Sequence, residues 1–347
     1  MRALATSVQV AEVTLKDAPL FVKAQGTVEA SRSVAIQAQV TGIIKKIGFT
    51  PGQTVKAGQL LFKIDSTTYE AALAKAEANL SKDEAQLQMT QKDSSRYQTL
   101  IKKGFISKQQ YDQTQAQLNE NLSTVKLDKA AIQQNQAKLN YTTILAPISG
   151  KTGNVTIKEG DLVNASSDKP LVTVNQLSPI YVDFYLPQAD LDTLLKYEKL
   201  GTLTVEVYDG GHKKLLDTGK LTFINNTVDA NTGTVLLKGS FPNKQGFLWP
   251  GESVIVKLIF TVEKNQLAIP SRAVQSDQQG NFVYLIKSNH TIITPVQVLR
   301  QLKQTTFIRK GLQPGDQVAT VFPPDLENNA LVSIIKSNAT NTMPVKP

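Results

Sequence analysis

Apolar residues recur at every seventh position along Tyr111, Leu118, Val125, Ile132 and Leu139, while the complementary seam positions are mostly polar: Gln115, Leu122, Lys129 and Gln136. Upstream, Tyr69, Leu73, Ala76 and Leu80 alternate spacings of four and three. The stripe resumes at Leu87, Tyr97 and Ile101, with Asp83, Thr90 and Ser94 as interruptions. Both stretches fall within residues 66–140, which contain no proline and one glycine, Gly104. So narrow a stripe suits one partner helix and little else. The pattern therefore predicts two helices paired as an antiparallel coiled-coil hairpin that turns near Gly104. At 1.5 Å per residue, an arm of about 35 residues reaches roughly 50 Å. A globular core has no use for such a projection, which reads as a device for reaching.

Flanking the helical stretch, the period changes and the sequence repeats itself. Ile36 to Gly42 (IQAQVTG) reappears as Ile144 to Gly150 (ILAPISG), and the same offset matches Ala38 with Ala146, Gly52 with Gly160 and Val55 with Val163. Each copy reads as strand, turn, strand. Glycine at matched turn positions points to positive φ or to a close backbone approach. Each half offers a few short strands with one apolar face, and such a face needs a partner. The two halves together predict a flattened β-sandwich, over 29–65 and 141–175, which resembles the biotinyl-lipoyl fold. A carrier domain of that fold bears its cofactor lysine at a tight hairpin between the halves; here residues 66–140 occupy that place.

From residue 176 onward, short alternating strands dominate. Pro187 to Leu195 reads as a short helix opening at proline. Strands are expected near 202–208, 214–224, 233–241 and 252–262, and with 18–28 they predict a small β-barrel over 18–28 and 176–266. Residues 267–336 form a second all-β unit, with hairpin-like breaks at Gly280-Asn281 and Ser288-Asn289. Residues 337–347, rich in Ser, Asn, Thr and Pro, read as a disordered tail.

Composition narrows the function. The 347 residues exceed one ordinary domain. Aromatics make up only 6%, so the cores are small and aliphatic. The net charge of +9 is carried by scattered lysines without a basic-aromatic stacking motif, which argues against nucleic acid. With no cysteine, disulfides and cysteinyl metal sites are excluded. The two histidines, His212 and His290, lie in polar contexts. No nucleophile-base-orienter set, phosphate loop or dinucleotide fingerprint appears. Three methionines, Met1, Met89 and Met343, offer no thioether metal site. The reading is therefore a non-enzyme with no catalytic residue, no metal and no cofactor.

The sharpest local signal is the expected hairpin tip, Arg96 to Ser107 (RYQTLIKKGFIS). Gly104 and Phe105 supply the turn, and Ser107 with Gln110 reads as a capping box opening the second helix. Arg96 and Leu100 stand one turn apart beside the seam, and nothing local accounts for them. An exposed arginine and leucine at a tip read as a docking patch.

The arginine, the leucine four positions on and the serine seven further on resemble the tip of the adaptor (membrane fusion) proteins of resistance-nodulation-division, or RND, efflux pumps, in the HlyD-like family. Further family-like stretches are Gly42 to Asp65, Tyr141 to Pro147, Pro179 to Phe184, Val228 to Thr234, Pro250-Gly251, Ile269-Pro270 and Gly311 to Asp316. The resemblance implies a mainly β, elongated, multidomain adaptor with a coiled-coil hairpin, a split lipoyl-like sandwich, a β-barrel and a membrane-proximal β domain. In that last domain the first strand, near 8–16, would return to pair, giving a domain of 1–17 plus 267–336. It also implies three partners: an inner-membrane RND transporter, an outer-membrane TolC-like channel engaged by Arg96, Leu100 and Ser107, and further copies of the chain in a six-membered ring. Localisation would be periplasmic at the inner membrane, with the signal or anchor segment outside this sequence. The turn Asp229, Thr232, Gly233 has a plain reading as an Asx-type turn and a second as a pump contact. The alternatives are an adaptor of an ABC-type exporter or secretion system, and a lipoyl- or biotinyl-type carrier.

Overall fold

The computed structural model describes residues 6–211 and 214–335. They pack as two compact units. One comprises 26–183 and 238–254; the other comprises 6–25, 184–211, 214–237 and 255–335. His212 and the expected tail at 337–347 lie outside the described residues.

In the first unit the two copies of the repeat share one core. Ile36, Ile44, Phe49, Val55, Leu61, Phe62 and Ile64 of the first copy are buried with Ala146, Ile148, Val163, Leu171 and Val174 of the second. Phe49 and Phe62 meet edge to face at 5.4 Å. The strand pairing carries the internal symmetry. Gly42 lies opposite Val163, and Val55 lies opposite Gly150. Adding the repeat offset to one pair generates the other with partners exchanged, as a two-fold relation requires. The hydrogen bonds Ile44 N–H to Asp161 O, 2.9 Å, and Thr152 N–H to Gln53 O, 3.0 Å, obey the same exchange.

The matched glycines divide into two kinds. Gly52 and Gly160 take φ of +78° and +95° in equivalent turns, where a Cβ is costly. Gly42 and Gly150 mark close approaches instead. A Cβ on Gly150 would stand 2.5 Å from the Asn175 carbonyl oxygen, and one on Gly42 would stand 2.6 Å from Ile64 Cγ2.

Between the copies stand two long helices, α1 (Thr67–Lys102) and α2 (Lys108–Asn140). Asp65 opens α1: its Oδ1 accepts from the Thr67 amide at 3.0 Å and the Thr67 hydroxyl at 2.6 Å. These bonds hold the Asp65 carboxyl below its ordinary pKa. Few residues of the pair are buried: Ala76, Thr90 and Ser94 on α1 and Val125 on α2. Thr90 and Ser94, expected to interrupt the seam, belong to it. Asn121 Nδ2 donates to Thr90 Oγ1 and Gln115 Nε2 donates to Ser94 Oγ, each at 2.7 Å. A buried hydroxyl is tolerable only when bonded in this way.

The third interruption, Asp83, faces Asp128 of α2. Partial burial, followed by the neighbouring Asp83 charge, raises the Asp128 pKa above the usual 3.8. A carboxyl raised in the folded state favours folding fully only when protonated. That contribution is lost as pH rises through the raised value, so a penalty stands at neutral pH. Asp128→Asn is expected to raise the melting temperature at pH 7 and to leave it nearly unchanged below the ordinary carboxylate range. Thermal melts of both proteins across pH 3–7 check this.

In the second unit one run of hydrogen-bonded strands follows the order Gln297–Leu302, Thr305–Lys310, Ser253–Pro270 (from Ile255 on), Thr204–Tyr208, Leu215–Asp229. The expected barrel strands are present, but that at 252–262 runs on to Pro270, where its end pairs with Thr305–Lys310. The helix expected after Pro187 begins as a 3-10 turn and becomes α3 (Leu191–Glu198). It seats Leu194 in the core, with Tyr197 stacked 6.1 Å from Phe260.

A second sheet orders Gln275–Asp277, Gly280–Lys287, Gln317–Val321, Thr6–Glu12 and Val332–Ile335. The first strand thus joins the C-terminal segment, antiparallel to one neighbour and parallel to the other. It stops earlier than expected. At Val13 the amide turns to Asp316 O and the carbonyl accepts from Gly315 N–H. A new continuous strand, Thr14–Ile36, absorbs the piece expected at 18–28. The break at Ser288-Asn289 is a two-residue turn with φ of 49° and 63°. That expected at Gly280-Asn281 falls two residues earlier, at 278–279, because Gly280 already pairs with Asp277.

Candidate docking surfaces

The loop joining α1 to α2 is built by its own backbone. Gly104 takes φ of +72°. The Gly104 N–H donates to Ile101 O at 3.0 Å, and the Phe105 N–H donates to Leu100 O at 3.1 Å. This pair of bonds is a Schellman motif, which closes a helix through a left-handed glycine. Ser107 then caps α2, its Oγ accepting from the Gln110 N–H at 3.2 Å. Ser107→Ala is expected to cost about 1 kcal/mol of α2 stability, read as a lower midpoint in urea.

The structure corrects one expectation here. Arg96 is exposed, but Leu100 is half-buried. The physical reason is the Schellman geometry, which folds the loop backbone over the last turn of α1, the Phe105 N–H returning to the Leu100 carbonyl. Leu100 therefore has local work that the pattern of the helix alone did not reveal. The strongly exposed apolar side chain of the loop is Phe105, at 73%. Arg96 makes one local ion pair, with Asp93 at 3.6 Å, and both partners are open to solvent. The loop and the end of α1 thus present a cation and an aromatic ring, both open to solvent.

The turn at Asp229 has the plain geometry. Its Oδ1 accepts from the Asn231 N–H at 2.8 Å and the Thr232 N–H at 3.2 Å. Its carbonyl accepts from Gly233 N–H at 2.8 Å, and Gly233 takes φ of +66°. Asp229 and Thr232 remain exposed.

Two charge networks were not visible from the chain alone. Lys238 stands 3.0 Å from Glu29 and 3.1 Å from Asp183. Burial raises the Asp183 pKa, against the opposing pull of Lys238. Lys257 meets Glu206 at 2.9 Å, and the Tyr208 hydroxyl donates to the same carboxylate at 2.7 Å. Burial works to raise the Glu206 pKa, but these two bonds outweigh it and keep the carboxylate charged; the Tyr208 pKa is pushed up to about 12. Among the described residues the His290 ring reaches only the Ser288 carbonyl, 2.9 Å from Nδ1. Among the described residues no group of three or more His, Cys, Asp or Glu side chains could hold a metal. No described helix is long and apolar enough to cross a membrane.

A chain whose split sandwich is interrupted by two long helices, followed by a barrel-like strand run and a closing β unit, belongs to the membrane fusion proteins (MFPs) of RND systems. Residues 32–175 match the RND MFP barrel-sandwich hybrid domain, 179–262 the RND MFP beta-barrel domain and 265–321 the RND MFP C-terminal permuted SH3 domain. The multidrug resistance protein MdtA of Escherichia coli O45:K1 (strain S88) is 33% identical over 340 residues, covering 96% of this chain and 81% of the relative. In fold, the chain is similar to MacA from Actinobacillus actinomycetemcomitans, with a TM-score of 0.54 and 23% identity over 90% of this chain and 99% of that one. It is also similar to a MacA-MexA chimera carrying the Pseudomonas aeruginosa MexA α-hairpin domain, with a TM-score of 0.55 and 24% identity over 93% and 100%.

Proposed function

We propose that this chain is the periplasmic adaptor of an RND efflux pump, bridging an inner-membrane RND transporter to an outer-membrane TolC-like channel for the export of drugs or other solutes. The observation that carries the reading is the ordered match of three RND MFP domains across residues 32–321, joined to 33% identity with a multidrug resistance protein. The same ordered match favours RND over ABC-type export. A lipoyl- or biotinyl-type carrier is disfavoured because α1 and α2 stand where a carrier lysine's tight turn belongs.

On this reading α1 and α2 are a coiled-coil reach device, and the modules follow the layout read from the sequence: hairpin, split sandwich, barrel and membrane-proximal domain. The chain is a scaffold, without catalysis, cofactor or metal. Arg96 and Leu100 dock the channel, with Ser107 fixing the loop and Phe105 adding apolar surface. The turn at Asp229, Thr232 and Gly233 contacts the transporter. Several copies close into a ring, six on the family pattern, since head-to-tail contacts that close give rings.

Complementation tests the function. A strain lacking the chain is expected to lose resistance to the pump's substrates and to regain it from a plasmid copy. Unchanged susceptibility on deletion, with the transporter expressed, would remove the adaptor reading.

A further inference from the structure

In the second unit, a cleft of about 370 Å³ opens beside the strand Thr204–Tyr208. Its wall is apolar: Phe21, Ile255 and Leu302 line it together with the ring of Tyr208. Of the polar groups that line it, Lys257 and the Tyr208 hydroxyl are already used. Glu206 is held by Lys257 and by the Tyr208 hydroxyl, and the Lys257 ammonium lies 4.8 Å from the Phe21 ring centroid. The half-buried carboxylate and its lysine cancel. Two further cations line the cleft, Lys23 and Lys303; both are exposed, and neither makes an ion pair among the described residues. The cleft therefore has an apolar wall and a net positive edge.

Lys303 carries a second signal. Leu302 pairs with Thr305, so Lys303 and Gln304 form a two-residue turn, and Lys303 takes φ of +54°. Glycine or asparagine suits that conformation best, and a lysine there is strained. Strain of this kind tends to sit where a side chain has a use. Here it aims a cation at the cleft.

We propose that this cleft binds a small amphiphilic organic anion, with an aromatic or alkyl body against Phe21, Ile255 and Leu302 and a sulfonate or carboxylate between Lys23 and Lys303. The volume lies in the range of small-molecule sites, which are mostly apolar with a few placed polar groups. A bare phosphate would leave the apolar wall unused. A neutral apolar molecule would leave the two lysines unused. The proposal does not depend on the adaptor reading.

The test is calorimetric titration of the full chain with 2-naphthalenesulfonate, with the neutral 2-naphthalenesulfonamide as control. The sulfonate is expected to bind at one site and the sulfonamide about tenfold more weakly. Lys23→Gln and Lys303→Asn are each expected to weaken the sulfonate about three- to fivefold, and about tenfold or more together, the scale of exposed charge pairs. Asparagine tolerates the left-handed turn, so Lys303→Asn should melt no lower than the parent while losing affinity. Lys303→Arg should retain binding. Equal affinity for sulfonate and sulfonamide, no binding by the parent, or sulfonate binding untouched in the folded double variant would each overturn the proposal.

Discussion

Arg96→Asp is expected to return a resistant strain to the susceptibility of one lacking the chain, while the purified protein keeps its fold. Among the described residues Arg96 pairs only with Asp93, both side chains being open to solvent, and such a pair contributes well under about 1 kcal/mol. Placing a second acid there adds a like-charge contact and opposes the helix dipole, again at about 1 kcal/mol or less. Stability thus predicts a near-silent change. Docking predicts a large one: a guanidinium offers five donors in a rigid fork suited to helix-end carbonyls or carboxylates, and an aspartate repels the same groups. Phe105→Asp should act alike, since its ring is 73% exposed and contributes little to the hairpin. Leu100→Asp is the poorer test because Leu100 is half-buried beside the Schellman bonds. Minimum inhibitory concentrations and melting curves for the same variants separate the two effects. Full resistance in both Arg96→Asp and Phe105→Asp would return the tip to an ordinary solvated loop.

The second large effect is on stability. Phe62→Ala is expected to cost about 3–5 kcal/mol, the usual range for deleting a buried aromatic side chain. Phe62 is fully buried at the junction of the two repeat copies, edge to face with Phe49. The distribution of the damage matters more than its size. Because one core holds both copies, hydrogen exchange should accelerate over 144–174 as well as 36–65, though the substitution lies in the first copy alone. Acceleration confined to 36–65 would mean that the copies are stable independently.

The sandwich was legible because its symmetry is written twice, in glycines and apolar positions 108 residues apart. Those matches depend on backbone geometry that only glycine tolerates, at Gly52 and Gly160 through positive φ and at Gly42 and Gly150 through crowding. The helices were legible as elements, but not their register. A heptad describes one helix's stripe, whereas the Asn121–Thr90 and Gln115–Ser94 bonds depend on how two stripes are set against each other. The same holds for Glu206 and Lys257. They lie directly opposite across two strands, yet nothing local links positions so far apart in the chain. The half-burial of Leu100 was not legible, because the loop that returns the Phe105 N–H to its carbonyl is no part of helical periodicity. The strand break at Val13 was not legible because no glycine or proline marks it; hydrogen bonds with Gly315 and Asp316 end the strand there.

On the proposed function, one chain holds transporter and channel together. Cross-linking in cells that express the tagged chain with the RND transporter encoded beside it and its outer-membrane channel, followed by affinity purification, measures this directly. Both partners are expected on the parent chain, and the transporter without the channel on Arg96→Asp. Recovery of neither partner, or of the channel undiminished on Arg96→Asp, would contradict it.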